Sequence, residues 1–281
     1  ISPDETVGKN EKFGPYRQSE RKAMYRQYAE QLIQTGWAYY AFDKAEALDA
    51  HRKQHEAEGK TFIYNWHNRE KLDTSLVLSA DETQKRIDAG QDYVIRFKTP
   101  VNETLHLHDM IRGDIQFDTN LLDDKVLFKS DGMPTYHLAN IVDDHLMGIT
   151  HVIRGEEWVP SAPYHVMLYQ AFGWDMPTFA HVPNILRQDG RGKLSKRKDD
   201  VSTNRFWERG YLPEAMFNYL ALQGWSYDDH TEIMSREEII ERFTLDRVQP
   251  SPARWNPEKL KDMNGLYIRK LSTRQVAERI A

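Results

Sequence analysis

The stretch that decides the fold is TYHLANIVDDHLMGITHVIRGEEWVPSAPYHVMLYQAFG, residues 135–173. Its opening part has apolar residues at helical spacing and closes at Gly148, which predicts a helix. The β-branched segment ITHVIRG (149–155) predicts a strand, and residues 161–173 predict a second helix. Another strand is predicted in HVPNIL, residues 181–186. Because strands alternate with crossover helices here, we expect an α/β fold with a parallel sheet covered by helices.

Two polar segments follow strands of this predicted sheet. RGEEW (154–158) follows one strand, and the basic loop GRGKLSKRKDD (190–200) follows another. Ligands of such sheets bind beyond the carboxyl ends of the strands, so both segments should open onto one rim. Gly190 and Gly192 give the loop backbone freedom, and its lysines suit the charge of a triphosphate. The alternative interpretation of this loop is a solvated run of surface charge.

The flanking segments give the rest of the organisation. From Ser19 to Gly36 the spacing predicts an amphipathic helix that Ser19 caps and Gly36 ends. Residues 37–125 hold short predicted strands around a polar stretch with a helix at 80–90, which indicates an inserted domain. Beyond residue 200 the pattern is helical. Helix start signals there are Ser235 with Glu238, Pro257, and Ser272 with Gln275.

The composition excludes several kinds of site. The chain of 281 residues has no cysteine, which rules out disulfides, thiolate nucleophiles and cysteine-ligated zinc. Its formal net charge of −5 gives no overall attraction to nucleic acid, so an RNA partner would need local basic patches. No apolar run approaches the roughly 20 residues that cross a bilayer, and the first residues are polar. We therefore expect a cytoplasmic protein without a membrane partner.

Three segments resemble motifs of a known family. KLSKR (193–197) resembles the second signature motif of class I aminoacyl-tRNA synthetases, in the form found in glutamyl-tRNA synthetases. YHLANIVDDHLMGITHVIRGEEW (136–158) resembles the long internal signature of bacterial glutamyl-tRNA synthetases, and GPYRQSER (14–21) resembles a third family segment. The three occur in family order at family-like spacing. The resemblance extends from about residue 8 to residue 281.

The resemblance implies a domain organisation. Residues 1–36 and 126–200 would form a Rossmann-like catalytic domain, interrupted at 37–125 by an α+β connective domain that grips the acceptor end of tRNA. Residues 201–281 would form a helical stem-contact region. In the family a histidine-containing signature precedes the matched part and an anticodon-binding region follows it. We therefore expect this chain to be the middle of a longer enzyme, and its activity alone stays open.

The resemblance also implies a site for glutamate and a site for ATP. Arg154 could grip a carboxylate through two hydrogen bonds, and Tyr136 and Asn140 lie four apart on one face of a helix. All three would bind glutamate. The implied ATP-binding residues are Gly155, Glu157, Trp158, Ile185, Leu186, Lys193, Leu194 and Lys196.

The same resemblance implies further residues for catalysis and for tRNA binding. Lys196 would be the most important catalytic charge, supported by Lys193 and Arg197. Arg17 and Ser19 would contact tRNA. Structural roles are the alternatives: an ion pair of Arg154 with Glu156 or Asp144, core positions for Tyr136 and Trp158, and a role at the helix start for Arg17 and Ser19.

The implied reaction has two steps and needs no protein nucleophile. The α-carboxylate of L-glutamate attacks the α-phosphorus of ATP in line, which gives glutamyl-adenylate and pyrophosphate. The terminal adenosine of tRNA(Glu) then attacks this mixed anhydride through its ribose hydroxyl. Alternatives are glutamylation of a modified tRNA nucleoside, a glutaminyl-tRNA synthetase, and a non-enzymatic module that only binds the tRNA acceptor. We expect a monomer.

Metal chemistry is expected only through the substrate. Mg²⁺ would accompany ATP, and neither bound zinc nor another protein-ligated metal is expected. His106 and His108 share one face of a strand, but the sequence offers no second ligand cluster beside them. The carboxylates and histidine of VDDHL (142–146) are adjacent on a helix and do not point at a common centre.

Overall fold

The computed structural model describes residues 3–195 and 201–280 of the chain. Seven strands occur in this part: β1 (Ala38–Ala41), β2 (Val94–Phe97), β3 (Thr104–Asp109), β4 (Gly113–Asp118), β5 (Val126–Phe128), β6 (His151–Gly155) and β7 (Thr178–Val182). Ten α-helices occur in the same part: α1 (Lys22–Gln34), α2 (Ala45–Ala57), α3 (Ala80–Asp88), α4 (Tyr136–Leu146), α5 (Ala162–Phe172), α6 (Thr203–Glu208), α7 (Pro213–Ala221), α8 (Arg236–Arg242), α9 (Pro257–Arg269) and α10 (Thr273–Ile280). None of these helices is both long and apolar enough to cross a membrane.

The described residues fall into two compact units. The first unit contains the residues up to Leu107 together with Ile115–Thr150 and Pro160–Pro177. The second unit contains His108–Asp114, His151–Val159 and the residues from Thr178 onward. The four functional domains expected from the sequence stay a prediction.

Helix α1 of the first unit begins later than the sequence predicted. Ser19 lies in a short 3₁₀ turn, Gln18–Glu20, and the N-cap of α1 is Arg21 rather than Ser19. The reason is tertiary: the buried Arg21 guanidinium donates to Asp143 of α4 at 2.7 Å and to the Pro15 carbonyl at 3.1 Å. These bonds fix where the helix can start. Gly36 ends the helix as predicted, with a φ of +81°.

The first unit also contains a small antiparallel sheet and a buried helix. The sheet has the strand order β1-β2-β5, with Ala38 paired to Phe97. Nine of the eleven residues of α5 are buried, so this helix packs in the interior on most of its surface. It ends at Gly173, which adopts the left-handed conformation at φ +67°. The predictions of α4 and α5 are confirmed.

The second unit contains the parallel strand pairs. Strands β6 and β7 are parallel, with Arg154 paired to His181, and β3 joins β7 in parallel through Asp109 and Phe179. The strand order is β4-β3-β7-β6, which confirms the α/β class. The strand predicted at 181–186 was misplaced, since β7 is Thr178–Val182. Pro183 lacks the N–H that a further ladder bond would need.

The helical part of the second unit follows the predicted start signals. Ser235 and Glu238 form a reciprocal capping box at α8, and Pro257 stands in the first turn of α9. The Gln275 N–H donates to the Ser272 hydroxyl at 3.3 Å, as expected for the start of α10. Helices α7 and α9 share an apolar cluster whose buried members are Tyr219, Leu260 and Met263.

Candidate active site

Three polar side chains stand at the carboxyl ends of neighbouring strands in the second unit. Asp109 ends β3, His181 lies near the end of β7, and Arg154 lies near the end of β6. Nδ1 of His181 is 2.6 Å from an Asp109 carboxylate oxygen. Nε of Arg154 donates to Nε2 of His181 at 3.0 Å. The parallel register of the three strands therefore produces a continuous hydrogen-bonded chain from Asp109 to Arg154.

Asp109 is held as a carboxylate by its surroundings. It is fully buried and accepts hydrogen bonds from the backbone N–H of Ile111 at 3.0 Å and of Arg112 at 2.9 Å. The backbone N–H of His181 adds a third bond at 3.1 Å. Burial alone would raise the pKa of Asp109, but the His181 side chain and these backbone donors outweigh it and lower the pKa.

Arg154 has a second contact that fixes its direction. Its guanidinium carbon lies 5.2 Å from the centroid of the buried Phe179 ring, and this ring stacks almost parallel to His181. The nearby Glu156 carboxylate accepts from Arg112 at 2.5 Å and from the Asn184 backbone N–H at 2.8 Å. Glu156 therefore ties the turn after β6 to the segment after β7.

Two of the predicted ATP-binding residues, Glu157 and Lys193, form an ion pair in the second unit. Nζ of Lys193 lies 2.5 Å from a Glu157 carboxylate oxygen. This hydrogen bond is the largest cause of a lowered pKa of Glu157. Leu186 forms an antiparallel bridge with Lys193, and the Leu194 N–H donates to the Ile185 carbonyl at 2.8 Å. The hairpin over residues 185–194 thus brings the start of KLSKR to RGEEW.

Gly155 and Trp158 lie on either side of Glu157 in the sequence. A Cβ atom at Gly155 would lie 2.1 Å from a Glu157 carboxylate oxygen, so glycine leaves the space in which that carboxylate sits. Trp158 is half-buried in the 3₁₀ turn Glu156–Ser161 that follows β6.

Tyr136 and Asn140 lie on α4 in the first unit. Tyr136 is 40% exposed and its ring centroid is 5.8 Å from that of the buried His165. The Asn140 amide donates to Asp144 at 3.2 Å, while its carbonyl oxygen is buried with no hydrogen-bond partner among the described residues. A shared ligand for these two residues and Arg154 stays a prediction, because Arg154 belongs to the second unit.

Four predicted site residues remain, two in the basic loop and two near the start of α1. Lys196 and Arg197 lie outside the described residues. Arg17 and Ser19 are exposed, Arg17 just before the short turn Gln18–Glu20 and Ser19 within it, and an Arg17 Nη lies 3.8 Å from Glu20. The prediction that Ser19 caps α1 is wrong, since the N-cap is Arg21. Among the described residues no group of three or more side chains could hold a metal ion.

Sequence reasoning missed Asp109 and His181. A usable signal was present at Asp109: the strand TLHLHD alternates exposed and buried positions, and an aspartate occupies its last buried position. A polar residue at a buried strand end needs partners, which is typical of a functional site.

The comparisons with known proteins identify the family of this chain. Residues 3–262 match the family model for tRNA synthetases class I (E and Q), catalytic domain. The chain therefore belongs to the class I tRNA synthetases of the glutamate and glutamine type, and the resemblance seen in its three motifs is confirmed.

The similar curated proteins are glutamate–tRNA ligases. That of Flavobacterium johnsoniae is 64% identical over 294 residues, which cover 99% of this chain and 58% of that protein. The ligase of Flavobacterium psychrophilum is 59% identical, with 99% of this chain and 58% of that protein covered. The chain thus spans about 58% of the length of these relatives.

A solved structure shows the same fold. The glutamate–tRNA synthetase of Elizabethkingia anophelis matches with a TM-score of 0.92 at 46% identity, over 98% of this chain and 59% of that one. A glutamate tRNA ligase from Elizabethkingia meningosepticum, solved in complex with its amino acid, has the same TM-score of 0.92.

Proposed function

We propose that the protein containing this chain attaches glutamate to tRNA(Glu) in an ATP-dependent reaction through glutamyl-adenylate. The family match and the glutamate–tRNA ligase relatives support this function and do not favour the glutaminyl alternative. The observation that carries the proposal is the 2.5 Å pairing of Lys193 with Glu157, because it joins two family motifs in one site of the second unit.

Each part of the site has a role in this proposal. Arg154 binds a carboxylate of glutamate, and the Glu157 carboxylate accepts hydrogen bonds from the ribose hydroxyls of ATP. Lys193, together with Lys196 and Arg197, stabilises the charge that develops on pyrophosphate. Mg²⁺ belongs to the ATP substrate complex, and the enzyme works as a cytoplasmic monomer.

Pyrophosphate exchange in the full-length protein tests the proposal. We expect exchange into ATP that depends on glutamate, followed by transfer of labelled glutamate to tRNA(Glu). Exchange driven by glutamine alone would instead support a glutaminyl-tRNA synthetase. Transfer to tRNA that lacks its terminal adenosine would point to a modified nucleoside as the acceptor. If the protein bound tRNA in a salt-sensitive way but catalysed no exchange, the result would support a non-enzymatic module that only binds the tRNA acceptor.

A further inference from the structure

Asp109 and His181 are too deeply buried to touch a substrate, but they belong to the same series of hydrogen bonds as Arg154. Both side chains have no exposed surface, and neither residue has a part in the proposed reaction. The cost of burying these polar groups is offset by hydrogen bonds to each other and to the backbone. Of the three side chains in this series of hydrogen bonds, only the guanidinium of Arg154 reaches out of the interior.

The direction of every hydrogen bond in the chain can be assigned from its two ends. Asp109 is an acceptor for three backbone N–H groups, so Nδ1 of His181 must carry the proton that it donates to this carboxylate. At the other end, Nε of Arg154 is always a donor, so Nε2 of His181 must accept. His181 is therefore held as the tautomer with its proton on Nδ1.

We propose that Asp109 and His181 are positioning residues for Arg154: Asp109 fixes the tautomer of His181, and His181 fixes the plane of the carboxylate-binding guanidinium. The inference rests on the proposed function, in that Arg154 binds a carboxylate of the amino acid substrate. Phe179 supports the same plane, since its ring centroid lies 5.2 Å from the guanidinium carbon.

The geometry also determines which edge of Arg154 meets the substrate. Because Nε is committed to His181, a carboxylate that binds Arg154 does so through the terminal nitrogens of the guanidinium and not through Nε. A guanidinium held in one plane does not have to be ordered when the ligand arrives. Loss of this support should therefore weaken the binding of the amino acid and leave the binding of ATP unchanged.

The sharpest variant is Asp109→Asn in the full-length enzyme. The asparagine carbonyl can keep the backbone hydrogen bonds, but its amide donates to Nδ1 of His181 and moves the ring proton to Nε2. Two donors, Nε2–H and Arg154 Nε–H, then face each other. We expect the KM for glutamate in pyrophosphate exchange to rise about 10- to 100-fold, as for loss of a hydrogen bond to a charged group. The KM for ATP should not change.

A second pair of variants separates positioning from simple packing. His181→Gln can present an amide oxygen to Arg154 and should restore most of the glutamate affinity that His181→Leu removes. Tyr267→Phe is the control in the same unit, because it removes a part-buried hydroxyl that lies 2.8 Å from the Asn218 carbonyl oxygen and 2.6 Å from the Met234 carbonyl. This control should lower the free energy of unfolding without changing the KM for glutamate.

A spectroscopic readout completes the test. Nitrogen NMR of histidine-labelled protein should show the proton of His181 on Nδ1 in the wild type and on Nε2 in Asp109→Asn. A wild-type proton on Nε2, or an unchanged glutamate KM in both Asp109→Asn and His181→Leu, would overturn the inference. Absence of glutamate-dependent exchange in the wild type would refute the proposed function, whereas the NMR result would still decide the tautomer.

Discussion

At the scale of single residues, Gly155 leaves room for the carboxylate of Glu157. A Cβ atom there would lie 2.1 Å from a Glu157 oxygen, so Gly155→Ala should push this carboxylate away from Lys193. We expect the KM for ATP to rise about tenfold, as for the loss of one hydrogen bond to a charged group. Gly265→Ala in α9 is the control, and it should leave pyrophosphate exchange unchanged. An equal effect of both variants would contradict this role.

Lys193 allows a matched comparison with another lysine. Lys193 pairs with Glu157 at 2.5 Å, and Lys259 pairs with Glu232 at the same separation outside the site. Lys193→Ala should slow pyrophosphate exchange about 10- to 100-fold, because under the proposed function it removes a charge near the triphosphate. Lys259→Ala should change neither this rate nor the KM for ATP. Equal rates in the two variants would show that the Lys193 pair is only structural.

Lys196, in the part of KLSKR beyond the described residues, should matter more. We expect Lys196→Ala in the full-length enzyme to lower the rate of pyrophosphate exchange roughly 10²- to 10³-fold, the effect of one lost charge-stabilising group. Single-turnover formation of the adenylate would separate this effect from substrate binding. A rate equal to that of the wild type would remove Lys196 from the reaction.

At the scale of secondary-structure elements, α8 depends on its capping box. The Glu238 N–H donates to the Ser235 hydroxyl at 3.1 Å, and the Ser235 N–H donates to the Glu238 carboxylate at 2.7 Å. Ser235→Ala should lower the free energy of unfolding by about 0.5–2 kcal/mol, and Ser235→Asp should largely retain it. Urea denaturation measures both. Ser251→Ala, at an exposed position outside the helices, serves as the unaffected control.

At the scale of the whole molecule, several carboxylates have a lowered pKa, which makes the fold sensitive to acid. They include Asp109, Glu157, Glu214, Asp228 and Glu238. A group with a lowered folded-state pKa contributes stability above its unfolded pKa and loses it as the pH falls through the folded value. Hydrogen bonds from the Thr231 hydroxyl and from the backbone of Thr231 and His230 lower the pKa of Asp228 to about 2.

The resulting prediction concerns the acid side of the stability profile. The thermal midpoint of the wild type should fall between about pH 4 and pH 2, because the unfolded chain binds protons first there. Asp228→Asn should make this fall less steep, whereas Asp229→Asn, at the exposed neighbouring position, is the matched control. Identical slopes for the wild type and Asp228→Asn would contradict the prediction.

Local patterns were sufficient for some elements of the fold. The helical spacing before Gly148 and the β-branched run before Gly155 predicted α4 and β6, because each signal lies within the element itself. The bounds of β7 and the start of α1 were wrong, since tertiary contacts decide them. Arg21 reaches Asp143, 122 residues away, and no pattern near Ser19 carries that information.

The sequence predicted some residues of the candidate site and missed others. Glu157 and Lys193 were identified because they belong to motifs, and their pairing agrees with the expected shared rim. Asp109 and His181 are 72 residues apart and meet only because β3, β7 and β6 are neighbours in parallel register. Strand order is a property of the assembled sheet, so the support for Arg154 could not be read from its own segment.

Leu186 joins the hairpin over residues 185–194 to the segment that leads into α9. Its N–H donates to the Ala253 carbonyl at 2.8 Å, its carbonyl accepts from Trp255 at 2.9 Å, and its other edge bridges Lys193. The Trp255 ring in turn packs edge-on against Tyr219, with centroids 5.1 Å apart. The base of the hairpin and the entry to α9 are therefore joined by backbone hydrogen bonds, and we expect a displacement of α9 to move Lys193 relative to Glu157.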